Sequence, residues 1–103
     1  MIKISEREEE VFSETEYFIE QYFGVNVNKM VSRNTTNKVS IARNMMFYIL
    51  HYDFKISIGK IAQAYFRTPR AVSLQISITK FQVKNEEAYK DMHDKIVQKI
   101  GKV

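Results

Sequence analysis

SIGKIAQAYFRTPRAVSLQI, residues 57–76, decides how this chain is read. Ser57 is predicted to cap a short helix in which Ile58, Ile61, Ala62 and Tyr65 recur at helical spacing. Phe66-Arg67 forms a turn. Thr68 is an apt N-cap for a second helix, and Pro69 falls at its first position, where a missing N–H costs nothing. That helix is expected to run to about Phe81. Two short helices joined by a tight turn fit a helix-turn-helix, with Ile61, Ala62 and Val72 as its small internal core. Such turns often carry glycine, which Phe66-Arg67 lacks, so the pattern also fits two core helices with a basic elbow. A strand competes as well, because SLQISITKFQV (73–83) alternates β-branched and polar residues. The Thr-Pro start and the preceding helix favour a helix.

The flanking sequence extends the helical pattern. Ser5 and Glu8 have capping-box spacing, acidic residues crowd the first turns, and Phe12, Thr15, Ile19, Tyr22 and Phe23 follow at helical spacing. This predicts a helix from about Ser5 to Phe23, stopped by Gly24. VNVNKMVS (25–32) reads as a helical turn capped by Asn26 or Asn28, with Val27, Met30 and Val31 inward. A polar loop (33–37) follows. Asn37 then caps a helix through Tyr52 whose buried stripe is Val39, Ala42, Met45, Met46 and Ile49, with Leu50 and Tyr52 near its end. Residues 51–56 form a connector. Asn85 is predicted to cap a last helix with Ala88, Met92 and Ile96 inward. The expected fold is all-α, five to six helices with a helix-turn-helix, forming a single domain over residues 1–103 with no internal repeat.

Composition bounds the function. The chain has 103 residues, 45% of them hydrophobic and 13% aromatic, enough for one modest core with little room for an enclosed catalytic cleft. It has no cysteine, which excludes disulfides and thiolate metal sites and fits a reducing, cytoplasmic setting. MIKISEREEE lacks the apolar core of a signal peptide, and no apolar run approaches membrane-spanning length.

Charge is unevenly distributed. Residues 1–23 hold two basic and seven acidic side chains, whereas residues 24–84 hold ten basic side chains against Asp53 alone, net +9. Residues 85–103 are balanced. A central segment this one-sided points to a polyanion more than to an ordinary solvated face.

Within that segment the second helix of the elbow carries the chemistry. Arg70 can bond guanine bidentately, and Ser73 and Gln75 can read or position bases. Thr68, the free N–H groups of the helix start and Arg67 can hold phosphates. Each has a structural alternative: Thr68 as a cap, Gln75 as a plain surface residue, Arg70 in an ion pair, although acids near it are scarce. Catalysis finds little support. His51 and His93 lie 42 positions apart without ligand-spaced neighbours, and Glu87, Asp91 and Asp94 are interleaved with Lys90 and Lys95 as on a solvated face. No glycine-rich phosphate loop or nucleophile arrangement occurs. The chain is therefore read as a non-enzyme without cofactor, metal or small-molecule substrate.

The order of elements resembles the C-terminal DNA-binding domain of the bacterial chromosomal replication initiator, DnaA. In that family an aromatic pair ends a helix. A short V-x-x-L turn, a basic loop and V-x-x-x-R-x-x-A-M-x-L follow, then S-x-x-x-I-G-x-x-F and a signature around G-G-R-D-H-T-T-V. Here YFGVNVNKMVSRNTTNKVSIARNMMFYIL, SIGKIAQAYF and RTPRAV stand in those places, covering about residues 10–81. The arrangement is similar to the Trp repressor as well. The resemblance implies a duplex-DNA reader with Arg43 in the minor groove and Ile58 and Gly59 at the phosphate backbone. It puts Arg67 at the signature arginine, and Thr68, Pro69 and Arg70 at the base-reading positions. Thr, Pro and Arg replace the family's Asp, His and Thr, and Pro69 has no donor, so a different base set is implied. The expected DNA-binding set is completed by Lys38, Lys60, Ser73 and Gln75. A role in replication or in transcriptional regulation fits this reading. The alternative is an adaptor or regulator that keeps the fold without reading DNA, which the degraded signature and the acidic first helix both suit. A monomer of this size offers few contacts, so useful affinity calls for a second copy, a partner or adjacent sites. The sequence shows no dimer signature.

Overall fold

The computed structural model describes residues 3–26, 28–29 and 37–101. It is all-α, with five helices and no strand among those residues.

Helix α1 (Glu6–Phe23) begins with the expected box: Ser5 Oγ accepts from the Glu8 N–H at 3.2 Å, and the Ser5 N–H donates to Glu8 Oε1 at 3.0 Å. It ends at Gly24, whose φ of +67° is the left-handed turn that glycine adopts without a Cβ clash. Val11, Phe12, Thr15 and Ile19 are buried, but Tyr22 is 40% exposed. Positions 22 and 23 lie about 100° apart around the axis, and Phe23 takes the inward one. Beyond α1, Asn26 Oδ1 accepts from the Asn28 N–H at 2.7 Å, as the expected cap would. Val27, Met30, Val31 and the loop before Asn37 lie outside the described residues.

Helix α2 (Asn37–Tyr48) already holds Asn37 in helical conformation, so Asn37 is not its cap. It passes into a π turn, Ile49–Asp53, where a plain helix through Tyr52 was expected. The wider turn keeps Ile49 and Leu50 fully buried and swings Tyr52 outward to 37% exposure. Its end is tied by the Ile56 N–H donating to the Leu50 carbonyl at 3.0 Å.

Helix α3 (Ile58–Ala64) is capped by Ser57, and α4 (Pro69–Asn85) by Thr68, whose Oγ1 accepts from the Ala71 N–H at 3.1 Å. The β-rich run 73–83 is helical throughout. The cap and Pro69 start α4, and Val72, Ile76 and Thr79 then bury one helical face. Thr79, a poor helix former, returns its hydroxyl to the Gln75 carbonyl at 2.9 Å. Helix α4 outlasts the predicted end at Phe81 by four residues. Asn85 is consequently not a cap: its Nδ2 donates to the Phe81 carbonyl at 2.9 Å within α4. Glu86 alone, with extended backbone, separates α4 from α5 (Glu87–Ile100). On α5, Ile96 and Ile100 are buried and Met92 is half-buried, while Ala88, expected inward, is exposed.

Helix α2 is central. It packs against α1 and α4, α4 packs further on α3 and α5, and α1 closes onto α5. Phe47, Met46, Leu50, Tyr65, Val72 and Ile96 meet in the shared core.

Candidate nucleic-acid interface

The α3–α4 elbow is built from its own backbone. Helix α3 ends with the Arg67 N–H donating to the Ala62 carbonyl at 2.9 Å, across a left-handed residue. That residue is Phe66, φ +56°, with its ring 81% exposed. This is the Schellman ending that glycine usually supplies, so the missing glycine is replaced in conformation, not in residue type. Ile61, Ala62, Val72 and Ile76 are buried between and beneath the two helices.

Two contacts strap this elbow to the acidic α1. Tyr65 is 2% exposed, its ring stands 5.9 Å from Phe12 and 5.5 Å from Phe47, and its hydroxyl donates to Glu16 Oε2 at 2.6 Å. Burial, and then the neighbouring Glu16 carboxylate, push the phenol's pKa up. Lys60 Nζ donates to both carboxylate oxygens of Glu8, at 2.9 and 2.8 Å. The hydrogen bond from Lys60 leads the causes that lower the Glu8 carboxyl pKa.

The expected set of contacts divides. Thr68, Pro69 and Arg70 are exposed together at the start of α4, with half-buried Arg67 before them and half-buried Ser73 one turn on. Among the described residues Arg70 has no ion pair, and between Pro69 and Asn85 the helix bears Arg70, Lys80 and Lys84 with no acid. Ile58, Gly59 and Lys60 lie half-buried at the start of α3, with Lys60 already on Glu8. Gln75 is half-buried and its Oε1 is fully covered without a hydrogen bond. Lys38 is exposed, its ammonium beside Gly24 at the C-terminal end of α1.

Arg43 departs from expectation. It is 5% exposed, and burial, with Arg67 nearby, lowers its pKa. A minor-groove contact needs a presented guanidinium, and this placement does not present one. The signal was in the sequence: Val39, Arg43, Met46 and Leu50 repeat at i, i+4, i+7 and i+11, the inward face of a helix buried nearly all round.

Sequence reasoning also missed two features. Leu74, Ile78 and Phe81 are 62%, 47% and 65% exposed, and their i, i+4, i+7 spacing puts them on one outward stripe of α4. His93 Nε2 lies 2.7 Å from Asp53 Oδ2 and Nδ1 lies 3.1 Å from Asp94 Oδ1, with the Tyr48 ring 5.4 Å away. The hydrogen bond to Asp53 is the largest cause of this imidazole's raised pKa. Asp53 is 40 residues away in the chain, and nothing local announces the pair.

Among the described residues, no group of three or more His, Cys, Asp or Glu is placed to hold a metal ion, and no helix is long and apolar enough to cross a membrane. No protein-family model matches the sequence, and no curated protein matches it.

Proposed function

We propose that this chain binds double-stranded DNA through a helix-turn-helix formed by α3 and α4, with the first turns of α4 entering the major groove. The observation that supports this most is the exposed Arg70. It stands in the first turn of a helix without an acidic residue, inside a segment of net charge +9. Arg70 reads guanine, and Arg67 and the Arg70 N–H, the backbone donor left in the first turn of α4 by Pro69 and the Thr68 cap, hold phosphate. Ser73 flanks the reading position. The resemblance to the replication initiator's DNA-binding domain supports the same reading and a role in replication or transcriptional regulation.

Selection of bound sequences from random duplex, followed by anisotropy titrations across a salt series, tests it. The log–log slope should be about −0.9 per phosphate neutralised. Arg70→Ala should cost roughly 1–3 kcal/mol on the selected site and relax its sequence, while Arg67→Ala weakens all duplexes alike. No duplex binding at low salt, or binding indifferent to Arg70→Ala, refutes the proposal.

The exposed Leu74–Ile78–Phe81 stripe favours a second reading, a protein-interaction module, because a groove-reading helix does not require apolar residues along its full length.

A further inference from the structure

We infer that Phe66 is a specificity determinant of the DNA reading proposed above, on which this inference rests: its ring packs on the C5-methyl of a thymine in the major groove, near the guanine read by Arg70. The turn between α3 and α4 takes one left-handed residue, a conformation that glycine adopts without strain. Phenylalanine does not, because its Cβ crowds the following carbonyl. A φ of +56° is therefore a strained conformation for so bulky a side chain. Packing returns little for it. At 81% the ring is the most exposed large hydrophobic side chain among the described residues. Neither the turn nor the core calls for an aromatic here, and strain held under an exposed ring points to a contact outside the chain.

Charge and position select the partner. From Phe54 to Asn85 the chain holds six basic side chains and no acidic one, and two of them, Arg67 and Arg70, follow the ring directly. A polyanion is what such a setting attracts. The major groove of a duplex presents hydrogen-bonding edges and one apolar group, the thymine methyl. A phenyl ring has neither donor nor acceptor for the edges, so the methyl is the group it suits. The contact also adds base discrimination at a helix start where the Pro69 side chain has no donor to offer. Spacing sets where it falls. Phe66 and Arg70 stand four residues apart in sequence, at most about 14 Å of chain. That is roughly four base pairs along the duplex at ~3.4 Å each.

The site selected from random duplex is titrated by anisotropy in two forms. One keeps thymine and the other carries deoxyuridine at each thymine within about four base pairs of the guanine. Deoxyuridine pairs as thymine does and lacks only the methyl. The wild-type chain should bind the deoxyuridine form about fourfold more weakly, the worth of one buried methyl group. Phe66→Gly should bind the thymine form at least about fourfold more weakly and should no longer distinguish the two forms. Selection repeated with Phe66→Gly should return the guanine and lose the thymine. Thermal melts check that the variant is folded, and the deoxyuridine comparison on wild type needs no variant at all. A selected site without thymine in that window overturns the inference. So does wild-type binding indifferent to deoxyuridine, which would assign the ring to a different partner, or a Phe66→Gly chain that still distinguishes the two forms. In each of these cases duplex binding that depends on Arg70 leaves the DNA reading standing. A wild-type chain that binds no duplex at low salt overturns both.

Discussion

Replacing Tyr65 by phenylalanine separates the two things that hold α3 against the core. The ring is buried between Phe12 and Phe47, and the hydroxyl donates to Glu16 Oε2 at 2.6 Å. A hydrogen bond to a charged group contributes about 1.5–3 kcal/mol. Glu16 is only half-buried, so water replaces part of the bond and the expected loss for Tyr65→Phe is about 1 kcal/mol. Tyr65→Ala removes the ring too and should cost roughly 3–5 kcal/mol, as other buried aromatics do. Urea unfolding followed by circular dichroism measures both. For a domain of this size the phenylalanine variant should melt about 4–8 °C lower. The pH dependence adds a second readout. An unfolded tyrosine ionises near pH ~10, and burial beside Glu16 raises that pKa in the folded chain. The hydroxyl's contribution is therefore complete below about pH 10 and is lost as pH rises from there through the folded value. The gap between wild type and Tyr65→Phe should narrow above that point. A Tyr65→Phe variant within about 0.3 kcal/mol of wild type at neutral pH, or a gap constant at alkaline pH, would show that the hydroxyl does not fasten α3.

Three further outcomes follow from the same geometry. His93 is held by Asp53 and Asp94 with its pKa raised, so its contribution to stability is complete below about pH 6.5 and fades as pH rises through the folded value. Urea midpoints from acid to neutral pH should decline in that sense for wild type and should flatten in Asp53→Asn. Thr68→Ala should destabilise by about 1 kcal/mol in thermal melts, while Thr68→Ser should retain most of the cap. Phe66→Gly should be neutral or stabilising by up to about 1 kcal/mol. It relieves about 1–2 kcal/mol of left-handed strain, against roughly 0.5–1 kcal/mol of added unfolded-state freedom, and little ring packing is lost at 81% exposure. A clear loss at Phe66→Gly would mean that the exposed ring makes a stabilising contact.

The sequence by itself determined where three of the helices, α1, α3 and α4, begin, whereas Asn37 and Asn85, expected to cap α2 and α5, both stand inside helices. The Ser5–Glu8 box, Ser57, and the Thr68-Pro69 start all act within four residues, and each stands where it was expected. The β-rich run 73–83 was settled the same way, because a strong local start and a helical burial stripe outweigh strand propensity. Helix ends were less legible. Gly24 stops α1 as expected, but the π turn at Ile49–Asp53 and the one-residue junction at Glu86 depend on what packs against them. The candidate site divides likewise. That Thr68, Pro69 and Arg70 would stand together at the head of α4 follows from their adjacency. That Arg43 is buried, that Lys60 meets Glu8 across 52 residues and that His93 meets Asp53 across 40 follow only from how the helices cross. Caps and periodicity are short-range interactions written along one helix. Which faces are covered, and which distant charges meet, is decided by packing between helices.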